Sequence, residues 1–174
     1  MPERRLGAHH PFWFDTVVLS NFAIAEEIAW LGARYTGQGR ITAEVFEEIG
    51  AGIAAGYSML ASVDELLHKD LFTLVQLEAA EMRQYRQYRN ALGSGEASSI
   101  AAARSRGGTV VTDDRAARAV CSRERTKYTG TVGILIAACK DGQIALDTAE
   151  DVFQRMKAHG FYAPLMRLRD VIEP

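Results

Sequence analysis

The side chains whose types and positions invite chemistry are four acids: Asp15, Glu96, Asp113 and Asp114. Asp15 closes the aromatic run HPFWF (10–14), and Asp113-Asp114 close TVVT (109–112), both of strand-like composition. In open parallel sheets, functional groups collect just outside the carboxyl ends of strands, so acids far apart in the chain can converge there. Glu96 lies in the first turn of SGEASSIAAA, where a helix dipole favours a carboxylate by roughly 0.3–1 kcal/mol. Singly, each acid has a structural explanation: Asp113 or Asp114 caps a helix, and Glu96 answers the dipole. Glu44, Glu47 and Glu48 read as surface decoration of a helix. Together the acids make a different case. Carboxylates meeting at one end of a sheet repel one another unless a cation compensates. Oxygen donors without a His/Cys cluster point to Mg²⁺ or Mn²⁺. Such ions beside a basic surface suit metal-assisted phosphodiester hydrolysis.

The elements that must position these acids alternate between strand-like and helical runs, the pattern of βαβ units around a parallel sheet. HPFWF is followed by a helical stretch, TVVLSNFAIAEEIAWLGARY, with apolar residues at helical spacing. TGQGR (36–40) is a turn and Ile41 a strand remnant, and Thr42 caps a glycine-punctuated helix, AEVFEEIGAGIAAG. LFTLVQL (71–77) reads as a strand before a polar helix, LEAAEMRQYRQYRNALG. Then come the SGEASSIAAARSRGG helix, the TVVT strand, the DDRAARAVCSRER helix, a short KYTG strand and the apolar TVGILIAACKDG helix. Asp147 and Glu150 have the spacing of a capping box opening the next helix, and a short helix follows Pro164. The apolar IAAGYSML (53–60) reads as a core helix or a dimer or partner face.

Composition narrows the field. At 174 residues and 48% hydrophobic, the chain has the size of one domain with a proper core. Cys121 and Cys139 lack zinc spacing and read as reduced core residues. No signal-like or membrane-length apolar run occurs, so a cytoplasmic protein with no membrane association is expected. The net charge of −2 conceals an asymmetry: residues 83–127 hold ten Lys/Arg against four Asp/Glu, a net of +6, leaving −8 elsewhere. Such a basic stretch suits phosphate handling. Arg115 and Arg118 share one helix face. Arg83, Arg86 and Arg89, interleaved with Tyr85 and Tyr88, form a second patch able to grip backbone and stack bases. GxxxxGK[ST], GxGxxG and GxSxG are absent, which argues against a nucleotide cradle or a serine hydrolase. His9, His10, His68 and His159 have no metal-ligand spacing and read as incidental.

The chain resembles the PIN-domain nucleases, especially the prokaryotic branch related to VapC-like toxins of type II toxin–antitoxin modules. The resemblance rests on Asp15-Thr-Val-Val-Leu-Ser-Asn21, Val45-Phe-Glu-Glu48, LGSGEASSIAAA (92–103), VVTDDRAAR (110–118), YTGTVGILIAACKDGQI (128–144) and the tail FQRMKAHGFY (153–162). It covers most of residues 12–172; each motif is weak, but their order and spacing are fairly specific. It implies a three-layer α/β/α fold with a central, mainly parallel sheet of about five strands, built as one domain (12–174) after an N-terminal extension (1–11).

The resemblance also implies acids binding Mg²⁺ or Mn²⁺ and cleaving RNA. The family's acids fall on Asp15, Glu48, Glu96 and Asp114, with Glu47 one register from Glu48. Asp113 falls on a variable position, as a supporting acid or helix cap. Thr112 and Asn21 are expected to hydrogen-bond metal-bound water, Asn21 equally being a buried polar residue. Implied partners are an RNA substrate, a cognate antitoxin protein and a second copy in a homodimer. A longer N-terminus and a polar insertion at Leu77–Asn90 depart from the commonest toxins. The expected function is a metal-dependent endoribonuclease and toxin. The alternatives are a non-catalytic RNA-binding or protein-interaction module on this fold, and a DNA-processing nuclease.

Overall fold

The computed structural model describes residues 10–172; His9 and most of the expected N-terminal extension lie outside them. Five short strands form one parallel sheet: β1 (Phe12–Phe14), β2 (Gly39–Thr42), β3 (Phe72–Val75), β4 (Thr109–Val111) and β5 (Lys127–Thr129), in the order β3-β2-β1-β4-β5. The chain builds outward from β1 through β2 to β3, then returns to β4 on the other side of β1. This reversal is a topological switch point between β1 and β4. Phe14 pairs with Val111 at its edge, and the Asp15 amide donates to the Val111 carbonyl (3.0 Å).

Successive strand residues face opposite sides of the sheet, and both sides are apolar. Phe14, Ile41, Phe72 and Val111 join a core built with α1 (Thr16–Ile24), α2 (Ile28–Arg34), α3 (Ala43–Ala54), α4 (Asp64–His68), α8 (Thr131–Lys140) and α9 (Leu146–Ala158). Trp13 and Val110 join a second core with α5 (Ala79–Tyr88), α6 (Ser94–Arg106) and α7 (Arg115–Arg123). The expected three-layer α/β/α arrangement is therefore the observed one. The Trp13 indole donates to the Gly107 carbonyl (2.9 Å), tying the end of α6 to the central strand.

Several elements differ from the sequence expectation. The helix expected after Asp15 is two helices, broken where Glu26 adopts a left-handed conformation (φ 60°). Ile41 belongs to a full four-residue strand, β2. IAAGYSML is no continuous helix: α3 stops at Ala54, and Ser58–Val63 is a 3-10 turn with Leu60 and Val63 inward. Asp147 does not cap α9. Ala145 holds the cap position without a side-chain bond, and Asp147 instead pairs with Arg169 of the final helix α10 (Arg169–Ile172). Thr42 does cap α3, accepting from the Val45 amide (3.3 Å).

Candidate acid site at the switch point

Asp15 follows β1 directly and is 1% exposed. Its Oδ1 accepts the Val18 amide (2.9 Å), capping α1. Its Oδ2 is buried and meets no donor at hydrogen-bonding geometry among the described residues. Burial pushes this carboxyl up to about 7; Asp113 and Glu96 add repulsion, while the Thr112 hydroxyl and the Val18 amide act in the opposite direction. Thr112 itself is fully buried and accepts the Asp114 amide (3.1 Å), fixing the turn after β4.

The adjacent aspartates divide their work. Asp113 Oδ1 accepts the Thr131 amide (2.9 Å) and the Arg118 guanidinium (3.3 Å), and its Oδ2 accepts the Thr131 hydroxyl (2.5 Å) and the Asn21 amide (3.1 Å). Asp113 thus anchors the start of α8 and the side of α1, with both oxygens engaged. Asp114 Oδ1 accepts the Ala117 amide (2.7 Å) and caps α7. The sequence made Asp113 the helix cap or a supporting acid, and the cap half of that expectation is corrected: Asp114 caps α7, because Asp113 is turned across the sheet to a different helix. Asn21, 8% exposed, holds Asp113 and Thr131 together, the buried polar role among its two expectations.

Glu96 opens α6, and its carboxyl is raised by burial and by the charges of Asp114 and Glu48, partly offset by the amides of Gly93 and its own residue. Glu48 reaches α6 from α3: its Oε1 accepts the Gly95 amide (2.8 Å) and its Oε2 accepts the Thr16 hydroxyl. A Cβ on Gly95 would stand 2.7 Å from Glu48 Oε2, so glycine is what lets the carboxylate approach that backbone. On α3, Glu47 is exposed, whereas Glu48 is half-buried and turned inward. Asp15, Glu96, Asp114 and Glu48 therefore form one electrostatically coupled group centred on Glu96. Most of its carboxylates still serve helix ends, and among the described residues no three His, Cys, Asp or Glu side chains stand ready as a metal constellation.

A cleft of about 390 Å³ opens on Glu96 and Asp114, lined also by Asn21, Asp113 and the turn from His159 to Tyr162. His159 was set aside in the sequence as incidental. The fold brings it to the acid cleft, with its ring Nδ1 bonded to the Arg155 carbonyl (2.9 Å). Only its place in the FQRMKAHGFY tail hinted at this.

The basic residues fare differently. Arg115 is exposed and makes no ion pair or hydrogen bond among the described residues. Arg118 is fixed by the Thr112 carbonyl (3.0 Å) and Asp113, and lies 5.8 Å from the Tyr128 ring centre. On α5, Arg83 and Arg86 are exposed, and Arg89, just past its end, donates to the Leu92 carbonyl (2.7 Å). The tyrosines between them do not form the expected stacking surface. Tyr88 is 2% exposed in the second core, and the Tyr85 hydroxyl is paired with Ser94 (2.8 Å), because α5 packs this face on α6.

Both cysteines are free, Cys121 buried and Cys139 partly so, with burial pushing the Cys121 thiol up to about 12. Among the described residues no helix is long and apolar enough to cross a membrane. Comparison with curated proteins returns no match. A family model described as a PIN domain matches residues 12–173, nearly the whole chain and every acid of the coupled group. PIN domains are in general metal-dependent nucleases. With its five-stranded parallel sheet and a family match over residues 12–173, the chain belongs to the PIN-domain family.

Proposed function

We propose that this protein is an Mg²⁺- or Mn²⁺-dependent endoribonuclease and the toxin of a type II toxin–antitoxin pair. The observation that carries the nuclease reading is Asp15 Oδ2: a carboxylate oxygen buried beside other acids that meets no donor at hydrogen-bonding geometry among the described residues. A buried oxygen of this kind is costly unless a cation or proton meets it. The donor set fits a hard divalent cation, being carboxylates without thiolates. Asp15, Glu96 and Asp114 would hold it, with Glu48 supporting. A divalent ion there supplies Lewis-acid activation of water and neutralises charge developing on the phosphate.

The chain's own groups do the rest. Arg115, exposed at the start of α7 and unpaired among the described residues, places a phosphate beside Asp114. Asp113, Asn21 and Thr131 keep α1, α8 and the turn after β4 in register, which holds Asp15 and Asp114 at adjacent strand ends. Glu48 bridges α1 and α6 and so positions Glu96. Arg83, Arg86 and Arg89 extend the phosphate-binding surface. Asp15→Asn is expected to abolish Mn²⁺-dependent cleavage of single-stranded RNA while the fold survives. Cleavage at the full rate in the purified variant would remove the reading. The toxin assignment rests on the family resemblance and includes a cytoplasmic location, a homodimer and an antitoxin covering the acid cleft. Its test is growth arrest on expression, relieved by the protein encoded next door.

One observation favours a second reading, a non-catalytic RNA-binding or interaction module. The acids are engaged at helix ends and not drawn into a ready constellation. Tight RNA binding without Mn²⁺-dependent turnover would select it. Turnover of single-stranded DNA in preference to RNA would select DNA processing instead.

A further inference from the structure

A second cavity, of about 560 Å³, opens beside the acid cleft, between the start of α8 and the segment after α9. It shares Asp113, Phe161 and Tyr162 with the acid cleft, so the two open side by side. Its volume lies in the range of small-ligand pockets. Tyr162 at its rim is 87% exposed and Tyr128 43%. Tyr128 carries the Arg118 guanidinium on its face, and Arg118 is held from behind by the Thr112 carbonyl and Asp113, giving a fixed flat platform. Gly130 lets Arg118 and Asp113 close on its backbone, since a Cβ there would stand 2.1 Å from Arg118 Nη2 and 2.4 Å from Asp113 Oδ1. The cavity's one acid, Asp113, already has both oxygens occupied, whereas Arg115 at the rim is unpaired among the described residues.

From this we infer that the cavity is a nucleobase subsite. It receives one unpaired base of a single-stranded RNA whose adjoining phosphate lies at the acid cleft. The proposal rests on the nuclease reading and deepens it. Flat aromatic faces next to a guanidinium take bases of any identity by stacking. The unpaired cation at the rim suits the phosphate that accompanies the base. Arg115 and Arg118 in the lining, beside an Asp113 whose two oxygens are already bonded, suit a nucleotide's phosphate, and the tyrosine faces next to them suit its base. Tyr128 and Tyr162 are then the residues that hold a flanking nucleotide in place, while the acids act on its phosphate.

The test is binding of the full-length protein, in chelator, to a short labelled oligouridylate and to an abasic ribose-phosphate oligomer of equal length, read by fluorescence anisotropy. Wild type should bind oligouridylate more tightly. Tyr162→Ala and Tyr128→Ala should each weaken it roughly tenfold or more and leave abasic binding unchanged. Tyr162 is almost wholly exposed, so its removal should not move the melting temperature. If both variants bind oligouridylate as wild type does, or weaken both oligomers equally, the subsite is overturned. The nuclease reading then still stands if Asp15→Asn abolishes cleavage, and the surface falls to a protein partner. If wild type neither binds nor cleaves RNA, the nuclease reading falls and takes the subsite with it.

Discussion

Replacing Asp15 by Asn should make the metal-free protein more stable at alkaline pH, although it removes the central acid of the site. In the fold this carboxyl is moved from 3.8 to about 7, chiefly by burial. Between those values the folded state holds a proton that the unfolded chain has released, so stability falls as pH rises from about 4 to about 7. At 1.36 kcal/mol per pH unit, keeping the charge in place above pH 7 costs roughly 4 kcal/mol as a ceiling. Asparagine carries no charge and caps helices as well as aspartate does, so the bond from the Val18 amide can be kept. Its second group must sit where Oδ2 meets no partner, which returns about 1–3 kcal/mol. The net gain is then on the order of 2 kcal/mol, or roughly 4–8 °C for a chain of this size. The assay is thermal and urea unfolding of both proteins in chelator from pH 4 to 8. The difference between the two curves, which cancels the titrations not linked to Asp15, should grow with pH and level off above 7. Adding Mn²⁺ at a hundredfold excess over its Kd should stabilise wild type by about 2.7 kcal/mol and leave the variant unmoved. A variant that melts at or below wild type at pH 8, with a flat difference curve, would refute the assignment of a buried, uncompensated carboxylate.

The two adjacent aspartates should part company under mutation. Asp113→Ala removes the acceptor for four donors and should cost about 2–3 kcal/mol in urea unfolding. Asp114→Ala loses one cap bond, worth about 1 kcal/mol, but relieves repulsion on Glu96, so its melting temperature should barely change while RNA cleavage is lost. Gly95→Ala sets a methyl group against Glu48 Oε2 and Thr16 Oγ1. It should destabilise by about 1–2 kcal/mol, and a melting temperature equal to wild type would contradict the packing. Arg106→Ala strands Glu81, which is 2% exposed and bound by that guanidinium. The loss should be about 2 kcal/mol at neutral pH. Because Arg106 holds the Glu81 carboxyl below its usual value, the difference from wild type should fade as the solution is acidified, which a pH series of unfolding curves would read.

Much of this molecule was legible before folding. Alternating strand and helix patterns announced a parallel sheet, and every expected strand is present. The short HPFWF run already carried its two-sidedness, since Phe12 and Phe14 on one face and Trp13 on the other need a core on each side. What misled were local signals whose outcome depends on distant partners. Asp147 and Glu150 have capping-box spacing, but Arg169 captures Asp147 from outside the helix. Tyr85 and Tyr88 alternate with arginines as if to stack bases, yet packing of α5 on α6 turns them inward. The helix after Asp15 has continuous apolar spacing, and its break at Glu26 leaves no glycine or proline in the sequence to announce it.

The sequence by itself determined the kinds of element, the acids available and the strand ends at which Asp15, Asp113 and Asp114 stand, because those follow from periodicity and propensity over a few residues. Only the tertiary structure decided how the acids divide. Asp113 is drawn across to Thr131 and Asn21, Asp114 caps its own helix beside Glu96, Glu48 and not Glu47 reaches Gly95, and His159 arrives at the cleft from near the other end of the chain. Asp113 and Glu48 are claimed by donors within about 3 Å on segments 18 to 92 residues away, which leaves Asp114 to the Ala117 amide of its own helix.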